Sequence, residues 1–254
     1  NGPEAGSASG NYAVDTTAPT SSWTSISDTA LKVGETAVLT VVLSEANSGF
    51  TNADITCDNG AVGSLSVAGD GVTYTGTFTP TAEVSDSSNT CVIGTSWTDT
   101  AGNSGVGSTS SNYAIDGVDP TVVSVAINDA SVISGETPTV TVVLSEAASG
   151  FAAADVACAS GSLGTLSVAG DGVTWTGTFT PTSSTTDGSN TCVVGTSWTD
   201  SAGNAPEAGL TSSNYAVETV APTSSWTSIS DTSLIEGETA VLTVVLSEAG
   251  HSGF

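Results

Sequence analysis

Pro19, Pro120 and Pro222 stand 101 and 102 residues apart, and so do Gly34, Gly135 and Gly237. The interval is a module length, because whole segments return with it. LSVAGDGVT occupies 65–73 and again 166–174, and TGTFTPT occupies 75–81 and 176–182. A chain written this way must fold as a row of similar units, each burying an apolar face of its own or sharing it with a neighbour. A longer order lies beneath the first. Residues 18–29, APTSSWTSISDT, recur unchanged at 221–232, whereas the intervening module reads DPTVVSVAINDA at 119–130. The full period is therefore a pair of modules. The predicted boundaries are 1–17 for the last strand of a preceding module, 18–118 and 119–220 for two complete modules, and 221–254 for the beginning of another. The sequence reads as a window on a longer secreted array.

Each module reads as β structure. Short Val, Thr and aromatic runs such as TAVLTVVLS (36–44), GVTYTGTFT (71–79) and TCVIGTSW (90–97) are separated by Gly, Asp and Asn clusters, and no window has a helical period. In TYTGTFT, Tyr74, Gly76 and Phe78 fall on one face and Thr73, Thr75, Thr77 and Thr79 on the other, the pattern of a strand with one face in a core. Seven strands are expected in the first module, near 20–27, 36–44, 53–58, 62–67, 72–79, 90–97 and 110–115. Seven short strands in about 100 residues make an Ig-like β-sandwich. The expected fold is all-β, with tandem Ig-like modules in an extended array.

The four cysteines divide evenly. Cys57 and Cys91, like Cys158 and Cys192, lie 34 residues apart inside one module, which predicts one disulfide per module. Zinc ligation is the weaker reading, since there is no Cys-x-x-Cys and His251 is the only histidine. Disulfides place the chain in an oxidising, extracellular compartment. Charge narrows the partners further. With 26 acidic residues against a single lysine, Lys32, the formal net charge is −25. Such a surface repels nucleic acid and anionic membranes and collects cations from solvent. No run approaches the ~20 apolar residues that a membrane-spanning helix needs, so no membrane insertion is expected of this segment.

The segments VDTTAPT, GETAVLTVVLSEANSGFTNADIT, GVTYTGTFTPT, WTDTAGN and NYAIDGVDPT resemble the bacterial Ig-like repeats of giant surface adhesins and related extracellular fibres. The resemblance covers the whole chain, and the paired cysteines depart from it. It implies module junctions that carry Ca2+. Ig topology brings the B–C, D–E and F–G loops to the pole where the preceding linker enters. Asp15, Glu45, Asp54, Asp99 and Asn103 are then the expected oxygen donors of the first module, and Asp116, Asp119, Glu146, Asp155, Asp200 and Asn204 those of the second. Oxygen donors without a basic partner suit Ca2+, which takes six to eight oxygens in loose geometry. The competing account of Asp99 and Asp200 is local: each opens a D-x-A-G-N segment and can satisfy backbone N–H groups in an Asx turn. Asp70 and Asp171, in AGDGV, are explained by turn formation.

Three function classes fit these features. The first is a structural extender or stalk of a long extracellular surface protein or filament, stiffened by disulfides and ions, whose partners are neighbouring modules of the same chain. The second is a filament subunit that polymerises with like chains by strand exchange or lateral packing. The third is an adhesive or glycan-binding module, for which a distinctive loop insertion is expected and neither repeat has one. Trp23, Trp97, Trp198 and Trp226 read as core or junction packing, with a stack over a sugar as the sharper alternative. No Ser/His/Asp grouping or enclosed acid pair supports catalysis, so no enzyme activity is expected.

Overall fold

The strand Thr73–Pro80 shows why these residues form a sandwich: Gly76 and Phe78 are buried while Thr77 and Thr79 face solvent. In this computed structural model, residues 10–247 are described, so the outer part of the predicted N-terminal strand (1–9) and the end of the last partial module lie outside the described residues. No α-helix occurs among the described residues; the chain is built of strands and two three-residue helical turns. It divides into two compact units. One comprises residues 1–119 with Asp200–Asn204, and the other residues 120–199 with 205–254.

In the first unit, β1 (Ser21–Ile26), β2 (Ala30–Lys32), β3 (Ala37–Leu43) and β4 (Asn47–Ser48) come first. Then follow β5 (Ile55–Cys57), β6 (Gly60–Val62), β7 (Ser66–Val67) and β8 (Thr73–Pro80). The last are β9 (Ser85–Asn89), β10 (Cys91–Ile93), β11 (Thr98–Asp99), β12 (Ser108–Thr109) and β13 (Tyr113–Asp116). One sheet has the order β1-β3-β8-β6, with β7 also on β8. The opposing layer is made of β12-β10-β5 and β2-β13-β9. All pairings are antiparallel except that of β13 with β2.

Thirteen strand segments replace the seven expected, for identifiable reasons. The run at 62–67 divides into β6 and β7 because its register on β8 shifts by one residue between Val62, opposite Phe78, and Ser66, opposite Thr75. Of the expected strand 90–97 only Cys91–Ile93 forms β10, with β9 an unexpected strand before it, and the expected strand 110–115 is shortened to β13, with β12 preceding it. Ser85–Asn89 has no apolar alternation and still pairs with β13, held by backbone pairing and by the buried Asn89 amide, which donates to the Tyr113 carbonyl at 3.1 Å. Ala30–Lys32 is short enough to pass for a loop, yet Leu31 is 1% exposed and seals the core beside β13.

The core lies between the layers. Leu31, Leu39, Val41, Leu43, Phe78, Ile93, Trp97, Tyr113 and Ile115 are all buried in it. Burying each large aliphatic or aromatic side chain contributes about 1.5–3 kcal/mol. Phe50 stands at an angle to both Tyr74 and Trp97, with ring centroids 5.0 and 5.5 Å away. The second unit has the same arrangement in Phe151, Trp175 and Trp198. Both expected disulfides are present, Cys57–Cys91 and Cys158–Cys192. Each joins residues directly opposite on neighbouring strands of one sheet, with Cα atoms 4.0 Å apart. Its separation of 34 residues closes off the segment containing β6 to β9. In the chain-entropy model such a loop stabilises the module by about 3–4 kcal/mol. At 224–229 and 242–246 the opening strand pair of a further module is formed, with Trp226 69% exposed.

Two features fix the second layer. At Gly107 a Cβ would stand 2.2 Å from the Ile93 carbonyl oxygen, a backbone atom that cannot move aside cheaply. Gly107→Ala is expected to cost about 1–3 kcal/mol through overpacking, measured by urea denaturation. Gly69→Ala, with nothing within 4 Å of the new atom, should leave the midpoint unchanged. The second feature is a buried tyrosine in each repeat: Tyr113 donates its hydroxyl hydrogen to the Asp58 carbonyl, and Tyr215 to that of Ala159. Burial, with the nearby Asp58 and Asp86, pushes the Tyr113 hydroxyl up to about 12. Burial and Asp187 do the same to Tyr215, also to about 12. A pKa raised on folding stabilises the neutral form. That contribution is complete below the unfolded value near 10 and is lost as pH rises through the folded value. Stability should therefore fall between pH 10 and 12, and the double variant Tyr113→Phe, Tyr215→Phe should flatten this alkaline limb in denaturation curves.

Candidate cation-binding site

The segment WTDTAGN builds the site from a tight turn. Thr98 and Asp99 pair with Ser48 and Asn47 as β11 on β4, and Asp99 N donates to the Asn103 carbonyl at 3.0 Å. Gly102 takes φ +98°, a conformation open to glycine, and allows the chain to reverse. Inside the turn Asp99 is 1% exposed. Its Oδ1 accepts from the N–H groups of Ala101 and Asn103, both at 2.8 Å, and its Oδ2 accepts from Asn103 Nδ2 at 2.7 Å. Burial raises the pKa of this carboxyl, but the side chain of Asn103 and the N–H groups of Asn103, Gly102 and Ala101 outweigh it. The net result lies below the ordinary carboxylate range. The Asx-turn account of Asp99 thus holds in full.

The turn also faces outward. Asp15, Glu45 and Asp99 each present a carboxylate oxygen, all within 4.8 Å of one another. Three separate segments meet here: the entering linker, the loop after β3, and the turn after β11. Asp15 Oδ1 accepts from Thr17 N at 3.0 Å, which bends the linker locally. Asn103 Nδ2 also donates to the Asp15 carbonyl at 3.3 Å, so the same amide binds turn and linker. The lone lysine does not neutralise the group; Lys32 Nζ donates to the Gly203 carbonyl at 3.3 Å. Three carboxylates without a base nearby form an oxygen-only pole of negative charge.

The other expected donors take different places. Asp54 closes the short helical turn Asn52–Asp54: its Oδ2 accepts from Thr51 N at 2.9 Å, and its Oδ1 accepts from the Ser96 hydroxyl. Asp155 is held likewise by Ala152 N at 2.9 Å and the Ser197 hydroxyl. Neither stands with a carboxylate cluster among the described residues. Asn103 acts through its Nδ2 as a hydrogen-bond donor to Asp99. Asp200 repeats the role of Asp99, fully buried, with Oδ1 accepting from Gly203 N at 2.7 Å and Asn204 N at 2.9 Å. Asn204 Nδ2 donates to Asp200 Oδ2 at 2.8 Å and to the Asp116 carbonyl at 3.1 Å, and its Oδ1 accepts from Val33 N at 2.9 Å. Asp116 and Asp200 offer carboxylate oxygens within 4.8 Å of each other. Half-buried Glu146 belongs to the second unit, and Asp119 stands outside the cluster. Asp70 and Asp171 sit in exposed hairpin turns, held low by the Thr73 and Thr174 hydroxyls and nearby N–H groups.

Two consecutive copies of the family model for the bacterial Ig-like domain match the chain, at residues 15–115 and 116–217. The chain belongs to the bacterial Ig-like domain family. The two matched Ig-like domains begin at Asp15 and Asp116, the linker acids themselves. No curated protein matches the chain. Among solved structures, the I9–I11 tandem from titin matches with 10% identity and a TM-score of 0.27, over 80% of this chain and 66% of that one. SGBP-B of the Bacteroides ovatus mixed-linkage glucan utilization locus, solved in complex with a mixed-linkage heptasaccharide, matches with 16% identity and a TM-score of 0.21, over 86% of this chain and 51% of that one. The chain thus spans about two thirds of the first and half of the second, and at these TM-scores neither likeness bears on function. Tandem bacterial Ig-like domains with one disulfide each are consistent with an extracellular module. No helix among the described residues is long and apolar enough to cross a membrane.

Removing the Asp99 carboxylate leaves the Ala101 and Asn103 N–H groups and the Asn103 amide without their acceptor. Asp99→Ala is expected to lower the urea midpoint of the first unit, because unsatisfied buried donors are costly. Since folding lowers this pKa, the stabilisation is present above the unfolded value near 4 and lost as pH falls through the folded one. The difference in urea midpoint between the parent and Asp99→Ala should therefore shrink as pH is lowered through the carboxylate range, followed by circular dichroism at several pH values.

Proposed function

We propose that this chain is a stalk segment of a long extracellular surface protein or filament, in which Ca2+ bound beside each linker fixes the entry of the chain into the next module. The observation that carries this reading is the triad of Asp15, Glu45 and Asp99, which draws linker and sandwich together at one pole without a basic partner. Three acids within 4.8 Å repel one another even in water, by about 1 kcal/mol per pair at such distances, and more where Asp99 is buried. A divalent cation reverses the sign of that balance. Hard oxygen donors with room for carbonyl and water ligands suit Ca2+ better than Mg2+, which demands near-octahedral geometry. Asp99 is already oriented by its hydrogen bonds, so little ordering remains to be done on binding. Asp116, Glu146 and Asp200 repeat these residue types at the same points of the second repeat.

Rigidity follows from the parts. Each sandwich keeps its shape through its core and its disulfide, and the ion removes freedom from the linker. Repetition then turns local order into reach. Titration of the full chain with millimolar CaCl2 is expected to give saturable calorimetric binding and raise the melting temperature, as ligand linkage requires. EDTA should reverse both effects and change the maximum dimension seen by small-angle scattering, with the sandwiches still folded. Glu45→Gln should weaken binding at the first triad. If melting temperature and dimension are both indifferent to Ca2+ and EDTA, this reading fails.

A further inference from the structure

The edge of the first sandwich between β1 and β12 opens as a cleft of about 370 Å³ lined by Ser21, Ser22, Trp23, Thr24, Ser25, Ile26, Ser108, Thr109 and Ser111. Seven of these nine residues carry hydroxyls and none carries a charge, in a chain whose net charge is −25. The indole is fixed rather than loose. Trp23 packs against the core, and its Nε1 donates to the Ser108 carbonyl at 3.3 Å. Several hydroxyls are also committed: Ser21 Oγ bonds Ser108 Oγ and the Val106 carbonyl, both at 2.9 Å, and Thr24 Oγ1 bonds the Thr40 carbonyl at 3.1 Å. The hydroxyls of Ser25, Thr109 and Ser111 make no hydrogen bond among the described residues. The cleft therefore joins a half-buried aromatic ring to free donors and acceptors.

We infer that this cleft is a binding site for a neutral saccharide, with a sugar ring against Trp23 and its hydroxyls on Ser25, Thr109 and Ser111. Chemistry selects that class of ligand. An anion meets no base in the cleft and a repelling field around it. An apolar ligand needs mostly apolar walls, and only Trp23 and Ile26 provide any. A pyranose complements this lining, with an uncharged C–H face for the indole and a ring of hydroxyls that act as donor or acceptor alike toward the serine and threonine hydroxyls. The cleft is small, at the lower end of ligand-pocket volumes, so it holds a short stretch of saccharide.

The second repeat supplies an internal contrast. There Ser21, Ser22, Trp23, Thr24 and Ser25 are replaced by Val122, Val123, Ser124, Val125 and Ala126, and Ser108 by Leu210. Near-identity elsewhere makes this difference local: SSWTSI returns at 224–229, so the cleft-forming strand belongs to alternate modules. The inference is independent of cation binding, since no carboxylate lines the cleft.

The test uses the full chain with cellohexaose, maltohexaose, N-acetylchitohexaose and, as an anionic control, oligogalacturonate, with binding followed by tryptophan fluorescence and by calorimetry. At least one neutral probe is expected to bind saturably with one site per chain, in Ca2+ or EDTA alike, and oligogalacturonate is not. Thr109→Asp places a charge at an exposed strand position and should weaken binding at least about tenfold. Trp23→Ala should do the same, and Trp175→Phe should not. If Trp23→Ala does not fold, Thr109→Asp decides alone. The inference is overturned if no neutral probe binds at tens of millimolar, if the anionic probe binds equally well, or if binding persists in Thr109→Asp or in a folded Trp23→Ala.

Discussion

The Asp99 carboxylate collects three hydrogen bonds from a turn of five residues, and the rest of that pole is arranged around it. A buried carboxylate is tolerated only where donors replace the water it gives up. The turn supplies them, and in doing so it fixes the position of Asn103, whose amide reaches the linker carbonyl of Asp15. One side chain is therefore satisfied by the turn, closes the turn, and orients the residue that grips the linker. Turn chemistry and cation binding had looked like rival accounts of the same aspartate. The turn's hydrogen bonds do not exclude a cation, because Oδ2 accepts a single hydrogen bond and keeps a further lone pair.

Charge explains why such a pole is left open. With one lysine in 254 residues, salt bridges cannot balance this surface, and each acid must be solvated, hydrogen-bonded or met by an ion. The structure sorts them. Asp54 and Asp155 cap short turns, Asp70 and Asp171 hold hairpins, and Asp58 accepts from Thr90 across the strand ends. Glu45 makes no hydrogen bond among the described residues and offers its carboxylate beside those of Asp15 and Asp99. The same scarcity of bases gives the uncharged cleft beside Trp23 its selectivity, since no cationic side chain lines it to recruit anions.

The sandwich was legible in the sequence because its core obeys a period of two: Leu39, Val41 and Leu43 alternate with Val38, Thr40 and Val42 as a half-buried strand must. The disulfides were legible from their even division among repeats. Ser85–Asn89 was not, since nothing in SDSSN alternates and the strand is held by polar bonds, its backbone pairing to β13 and the Asn89 amide on the Tyr113 carbonyl. At the site, Asp15, Glu45 and Asp99 could be brought together by topology alone. Asp54 could not be separated from them, because a capping carboxylate and a ligating one look alike until the Thr51 N–H and the Ser96 hydroxyl are seen to take it. The cleft is hidden for another reason. It is formed by strand edges 85 residues apart that carry no motif.

Comparison of the two repeats separates what the fold requires from what it permits. Where Asn47 donates to the Tyr74 hydroxyl at 2.7 Å, the second repeat has Ala148 and Trp175. The polar pair has been exchanged for an apolar one, and Trp175 Nε1 is left buried without a partner among the described residues. Asn59, which donates to Asn89 Oδ1 at 2.7 Å, becomes Ser160, too short to reach Asn190, whose Oδ1 is likewise unpartnered. Each unmet group costs stability. The second repeat nevertheless keeps its disulfide, the buried Asp200 turn and the tyrosine bonded to a backbone carbonyl. Side-chain pairs inside the core are thus negotiable, whereas the three devices that fix strand register and the linker pole are not. A change inside a core leaves the linker untouched, whereas a change at the Asp99 or Asp200 turn reaches the linker carbonyls of Asp15 and Asp116.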